Sequence, residues 1–312
     1  MTGQDRILPG VALMIAFCVT APLIDVAAKI AAQVVPVGTV TLGRFVVQAG
    51  LMLPVVLAMG LSLRLTRRAA SLTFWRALTS ILATYCFVAA VRVMPIADAL
   101  AIVFVEPFII LLIGKLVLAE QVGPRRLAAA AFGFAGSLLV IQPSFVTFGA
   151  VALFPLATAL FFALYMLITR RLSREMHPVT MQFHTALFAG VLLFPALLVG
   201  GAFGSWQVSF MAPEGIFWLW VFCVGLAATI SHMAITYALA FAPSATLAPL
   251  HYLEIVTATL FGFLFFGDFP NSLTWAGIAI IVASGLYVIH RERVQARADR
   301  PAYPANMPPP PV

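Results

Sequence analysis

The chain has 312 residues, 62% of them hydrophobic and only 9% charged, with a formal net charge of +7. Soluble domains carry about 25% charged residues, so this composition cannot cover a water-facing surface and excludes a soluble enzyme. In a soluble protein the basic excess would suggest nucleic acid. Here its placement makes it a topology signal, and no nucleic-acid partner is expected.

A helix crossing about 30 Å of hydrocarbon needs about 20 residues. Ten runs approach that length, near 8–31, 38–62, 73–92, 97–119, 126–142, 149–170, 179–200, 216–240, 245–266 and 274–290. The first follows a lone Arg6 and contains Asp25 and Lys29 without a small-residue cleavage site, so it reads as a retained helix. The two longest connections, 63–72 and 201–215, have no room for a folded domain. Residues 291–312 are polar and proline-rich, so a disordered cytoplasmic tail is expected. Each of Cys18, Cys86 and Cys223 lies inside an apolar run, and neither a disulfide nor a metal spacing results.

The arginines set the orientation. Arg64, Arg67, Arg68 and Arg76 flank the second connection, Arg125 and Arg126 the fourth, and Arg170, Arg171 and Arg174 the sixth. Arg291, Arg293, Arg297 and Arg300 follow the last run, and with Arg6 these are 14 of the 18 basic residues. Ten spans place all of them on one side, so both termini are expected in the cytoplasm.

Two stretches repeat without a gap. At an offset of 148, "MPIADALAIVFVEPFIILLIGKLVLAEQVG" from residue 94 aligns with "APSATLAPLHYLEIVTATLFGFLFFGDFPN" from residue 242. Pro95 meets Pro243, Ala97 meets Ala245, Glu106 meets Glu254, Gly114 meets Gly262, and Glu120 meets Asp268. A weaker echo joins "PVGTVTLGRF" to "PVTMQFHTAL". The expected organisation is a five-helix repeat over 1–143, a second over 144–290, and the tail over 291–312. An odd number of helices per repeat inverts the second half, an architecture of secondary transporters. The fold class is therefore all-α integral membrane, ten transmembrane helices in two inverted five-helix repeats.

Ionisable residues inside the membrane are costly and usually face a bundle interior. Glu106 and Glu254 are the first candidates, either for substrate and proton or for an interhelical hydrogen bond beside Pro107. Asp25 and Lys29 stand at the i, i+4 spacing of a facing pair, either self-neutralising or lining an entrance. Arg44 keeps its charge and needs a partner, for which Asp25, Glu106 or Glu254 would serve. His251 and Tyr252 precede Glu254 on a proline-bent segment and could touch a polar ligand. His184 and His232 read as interhelical hydrogen-bond formers, and Lys115 and Arg92 as interfacial groups. Trp206, Trp218, Trp220 and Trp275 sit near run ends, as an interfacial belt places them.

The stretch "ADALAIVFVEPFIILLIGKLVLAEQVGPRRLAAAAFGFAGSLLVIQP" resembles the drug/metabolite transporter superfamily in its ten-helix EamA-type branch. Pro95, Ala97, Pro107, Glu120, Arg125, Arg126, Gly133, Gly136 and Pro143 carry the likeness, repeated less strictly by Pro243, Ala245, Pro249 and Asp268. The form "FVEPFI" is similar to a subgroup with bacterial riboflavin importers and S-adenosylmethionine transporters. The resemblance implies a carrier in the bacterial inner membrane, moving a small polar metabolite by alternating access. Riboflavin uptake is the leading expectation, with export of amino acids or related metabolites, or S-adenosylmethionine transport, as alternatives. Neither a Walker motif nor a catalytic or metal constellation is present, so an integral membrane enzyme, a cofactor and a bound metal are not expected. A monomer is expected, because both repeats share one chain.

Overall fold

The computed structural model describes residues 7–117, 124–242, 247, 250, 251 and 253–298. Among these residues eleven α-helices are described: α1 (Ile7–Ala31), α2 (Val37–Ala58), α3 (Arg67–Val91), α4 (Ile96–Val103), α5 (Glu106–Val117), α6 (Pro124–Phe148), α7 (Leu153–Leu172), α8 (Pro178–Ala202), α9 (Phe217–Phe241), α10 (Glu254–Phe266) and α11 (Ser272–Ala298). No strand occurs among the described residues. Among the described residues six segments are long and apolar enough to cross a membrane: α1, α2, α3, α8, α9 and the stretch Ser144–Leu172 that ends in α7. Lipid requires backbone groups to be satisfied within each segment, which helices do. Leu57, Leu198, Leu264 and Phe265 point outward and exposed, as a lipid-facing surface should.

The helix contacts map onto themselves when the halves are exchanged. The packing of α1 on α9 has its counterpart in α7 on α3, that of α2 on α9 in α8 on α3, and that of α1 on α10 in α7 on α4 and α5. The pairs α2 with α8 and α6 with α11 are their own counterparts. Small residues allow the closest approach: Gly43 of α2 sits under Val221 of α9, and Gly225 of α9 under Val47 of α2. A methyl group at either glycine would collide with that valine, the small-residue packing common between membrane helices.

Three sequence expectations are revised. The fourth run, expected as one helix over 97–119, is broken into α4 and α5 at Phe104 and Val105. Pro107 lacks an N–H and its ring clashes with a continuing helix, but at the second position of a new one that loss is harmless. Arg76 does not flank the connection before α3. It is the tenth residue of that helix and fully buried. Lys29 pairs with Asp268 at 2.8 Å rather than with Asp25.

Candidate functional site

Both paired glutamates occupy the same backbone position. Glu106 is the first residue of α5, after the break; Glu254 is the first residue of α10. A carboxylate there lies at the positive end of the helix dipole. Each half thus carries the same device for holding an acid in an apolar bundle.

His251 joins the two acids. Its Nδ1 lies 2.8 Å from Glu106 Oε2 and its Nε2 lies 2.6 Å from Glu254 Oε2. All three side chains are buried. The rings of Phe17, Phe104 and Phe162 surround the imidazole at centroid distances of 5.4, 5.7 and 5.5 Å. At the offset that pairs the glutamates, His251 meets Val103, so the first half has no second histidine. Glu106 Oε1 is buried without a partner.

Helix α1 is locked to this segment by a proline effect. Pro22 cannot donate to the carbonyl of Cys18, and the hydroxyl of Thr257 donates to that oxygen at 2.6 Å instead. The thiol of Cys18 in turn reaches the carbonyl of Leu250 at 3.4 Å.

A cavity of about 100 Å³ adjoins the triad. Its wall includes Asp25 of α1, Arg44 of α2, Ser80 of α3, Phe162 of α7, His232 of α9 and Glu254. Arg44 Nη2 donates to His232 Nε2 at 2.7 Å, and His232 Nδ1 lies 3.1 Å from the hydroxyl of Tyr165. Tyr165 also accepts from Arg76 Nη2 at 2.7 Å. Arg76 completes its shell with Thr169 at 2.7 Å, Gln182 at 3.1 Å, Thr236 at 3.2 Å and Thr185. One side chain of α3 thereby ties α7, α8 and α9.

Of the residues singled out from the sequence, Asp25, Arg44, His251 and Glu254 line this one cavity, and Glu106 lies directly behind His251. Tyr252 lies outside the described residues. Lys29 belongs elsewhere, at the end of the bundle where α1 and α10 finish and α4 begins. There it holds Asp268 and donates to the carbonyl of Met94 at 3.2 Å. Arg44 meets a histidine where a carboxylate was expected: among the described residues no acid comes within 4 Å of it. His184, expected to bond between helices, instead bonds the carbonyl of Thr180 in its own helix at 2.9 Å and that of Leu63 in the connection before α3 at 3.1 Å. His232 and Arg76 were missed as site residues. The available signal was an arginine placed ten residues into an apolar helix, too deep to reach an interface. Among the described residues no group of side chains could hold a metal ion.

A bundle of apolar helices, one of its runs broken beside a buried acid at a cavity, defines a multi-pass membrane carrier. The chain belongs to the EamA-like transporter family, which matches residues 8–142 and 149–290. It is a transporter of the drug/metabolite superfamily. It is 33% identical over 227 residues to the riboflavin transporter of Rhizobium johnstonii, covering 72% of each chain. It is 23% identical to the S-adenosylmethionine uptake transporter of Rickettsia felis, over 64% of this chain and 65% of that one. A crystal structure superposes with a TM-score of 0.66 at 21% identity, covering 93% of this chain and 98% of the other, a likeness in fold alone.

Proposed function

We propose that the protein carries riboflavin into the cell across the bacterial inner membrane, by alternating access around the cavity between its two halves. The observation that carries this reading is the link from Glu106 in the first half to His251 and Glu254 in the second. A site whose members lie on both halves changes shape when one half rocks against the other. The aromatic rings beside the cavity suit a planar ligand, which they can stack. The riboflavin transporter of Rhizobium johnstonii supports the choice of substrate.

The cavity, at about 100 Å³, is smaller than the roughly 300–1,000 Å³ of ordinary ligand pockets. Substrate must therefore part the helices to enter. The Lys29–Asp268 pair closes one end, which the arginine distribution assigns to the outside, with both termini in the cytoplasm. Glu106, Glu254 and His251 serve as the coupling site, Asp25 and Arg44 as substrate contacts, and the protein acts as a monomer. S-adenosylmethionine uptake is the second reading, favoured by the Rickettsia felis relative.

The test is entry of labelled riboflavin into bacteria that neither make nor import it, with unlabelled riboflavin, S-adenosylmethionine and amino acids as competitors. Saturable entry blocked by riboflavin supports the proposal. Absence of entry, from protein shown to be in the membrane, removes the flavin and leaves the carrier.

A further inference from the structure

Asp25 and Arg44 line the same cavity with opposite charges, and neither satisfies the other. No nitrogen of Arg44 comes within 4 Å of an Asp25 oxygen among the described residues. Arg44 spends Nη2 on His232, while its Nε is buried without a partner. The Asp25 carboxylate has no hydrogen-bond partner among the described residues, although the side chain is buried. An unpaired buried charge costs several kcal/mol, and two opposite ones could have relieved each other by touching. Their separation across a cavity is the arrangement a ligand with both an acceptor and a donor would complete.

The charge of the surroundings can be counted from geometry. His251 Nδ1 is hydrogen-bonded to Glu106 Oε2 at 2.8 Å, whereas Nε2 approaches Glu254 Oε2 to 2.6 Å off the hydrogen-bond direction. Bare lone pairs at either distance would repel, so one hydrogen is assigned to each contact. Wherever those two hydrogens reside, on ring or on acid, His251, Glu106 and Glu254 together carry one negative charge. His232 accepts from Arg44 at Nε2, so its ring is neutral, with its hydrogen on Nδ1 toward Tyr165. Arg76, one hydrogen bond beyond Tyr165, adds a cation whose partners are all neutral hydroxyls and amides. With Asp25 ionised, which is part of the inference and is tested by Asp25→Asn below, the negative charges of the triad and Asp25 balance the two guanidinium cations.

We infer that this cavity selects a ligand of zero net charge with an acceptor edge for Arg44 and a donor edge for Asp25, and rejects net anions and net cations of similar shape. The inference rests on the carrier reading and narrows it. Riboflavin is neutral and offers ring carbonyls and an imide N–H. Its phosphorylated form is an anion with the same ring, and S-adenosylmethionine is a net cation. In a low-dielectric site a single unbalanced charge outweighs one added hydrogen bond.

The experiment measures apparent Kd by ligand-induced thermal shift of the purified full chain. The probes are riboflavin, flavin mononucleotide, S-adenosylmethionine and zwitterionic phenylalanine. The wild type should bind a neutral probe at least about tenfold more tightly than either charged one. Asp25→Asn should shift the preference about tenfold toward flavin mononucleotide, and Arg44→Gln by a similar factor toward S-adenosylmethionine. The double variant, neutral again, should regain the wild-type order and a higher unliganded Tm than either single variant. Wild type preferring a charged probe, or binding none, overturns the inference. So does an unchanged order in single variants that remain monodisperse. Phenylalanine binding without riboflavin binding discards the flavin and keeps the charge rule.

Discussion

Two buried polar clusters sit side by side in this bundle and are built on opposite principles. Around Arg76 each guanidinium nitrogen faces a neutral oxygen from α7, α8 or α9, although the Gln182 Nε2 beside it is buried without a partner. Around the cavity, Glu106 Oε1 and Arg44 Nε remain without partners. A closed network holds helices together whatever else happens. An open one keeps bonding capacity for something that arrives and leaves. The Tyr165 hydroxyl and His232 connect the two, so the closed cluster also fixes how Arg44 is presented to the open one.

The largest effect should come from opening the closed cluster. Arg76→Leu removes five hydrogen bonds. Membrane hydrogen bonds average about 0.6 kcal/mol, so the loss is about 3 kcal/mol. The expected result is a much lower yield of monodisperse protein and a Tm lower by many degrees. A variant with wild-type Tm and yield would show that the cluster does not hold the helices.

Glu106→Gln sharpens the contrast from the other side. The amide oxygen can still accept from His251 Nδ1, so the cost in stability should stay near 1 kcal/mol. Transport should fall at least about tenfold, because an amide cannot exchange a proton or carry the charge. Uptake and Tm measured on one preparation decide it. A large fall in Tm with proportionate uptake would move Glu106 into the structural cluster.

The legibility of these two regions in the sequence differed for physical reasons. Glu106 and Glu254 were readable because the repeat doubles them at a fixed offset and Pro107 marks one break. His251 was readable because it lies three residues before Glu254. Arg76 was misread because charge counting treats an arginine near a helix start as a flank, and only depth along the helix tells otherwise. His232 was readable as an interhelical hydrogen-bond former but not as a cavity residue, because its place there comes from Arg44, 188 residues away in sequence. The Asp25–Lys29 pairing failed because i, i+4 spacing permits a contact without requiring it. Lys29 found a better-placed acid in Asp268, near the end of α10.

That exchange of partners leads to an intermediate prediction. The Lys29 and Asp268 side chains are 13% and 29% exposed, sheltered enough for their pairing to count and accessible enough to break. A double-mutant cycle with Lys29→Gln and Asp268→Asn should give a coupling near the upper end of the roughly 0.2–1 kcal/mol measured for ion pairs. Uptake should change in each single variant, since the proposed outer closure would be weakened. A cycle that closes with no coupling would reduce the contact to coincidence.

The smallest effect is expected at Arg68 and Glu175, a pair of similar length, 3.1 Å, between the first turn of α3 and the connection after α7. The Arg68 side chain is 73% exposed, so water already solvates it and the long chain loses entropy by staying bound. Arg68→Gln should leave uptake and Tm within error of the wild type. The two pairs share their chemistry and nearly share their length, so any difference between them isolates location. If Arg68→Gln slowed uptake as much as Lys29→Gln, the Lys29 pair could no longer be singled out as a closure. The effect would then follow from loss of surface charge in general rather than from where α1 meets α10.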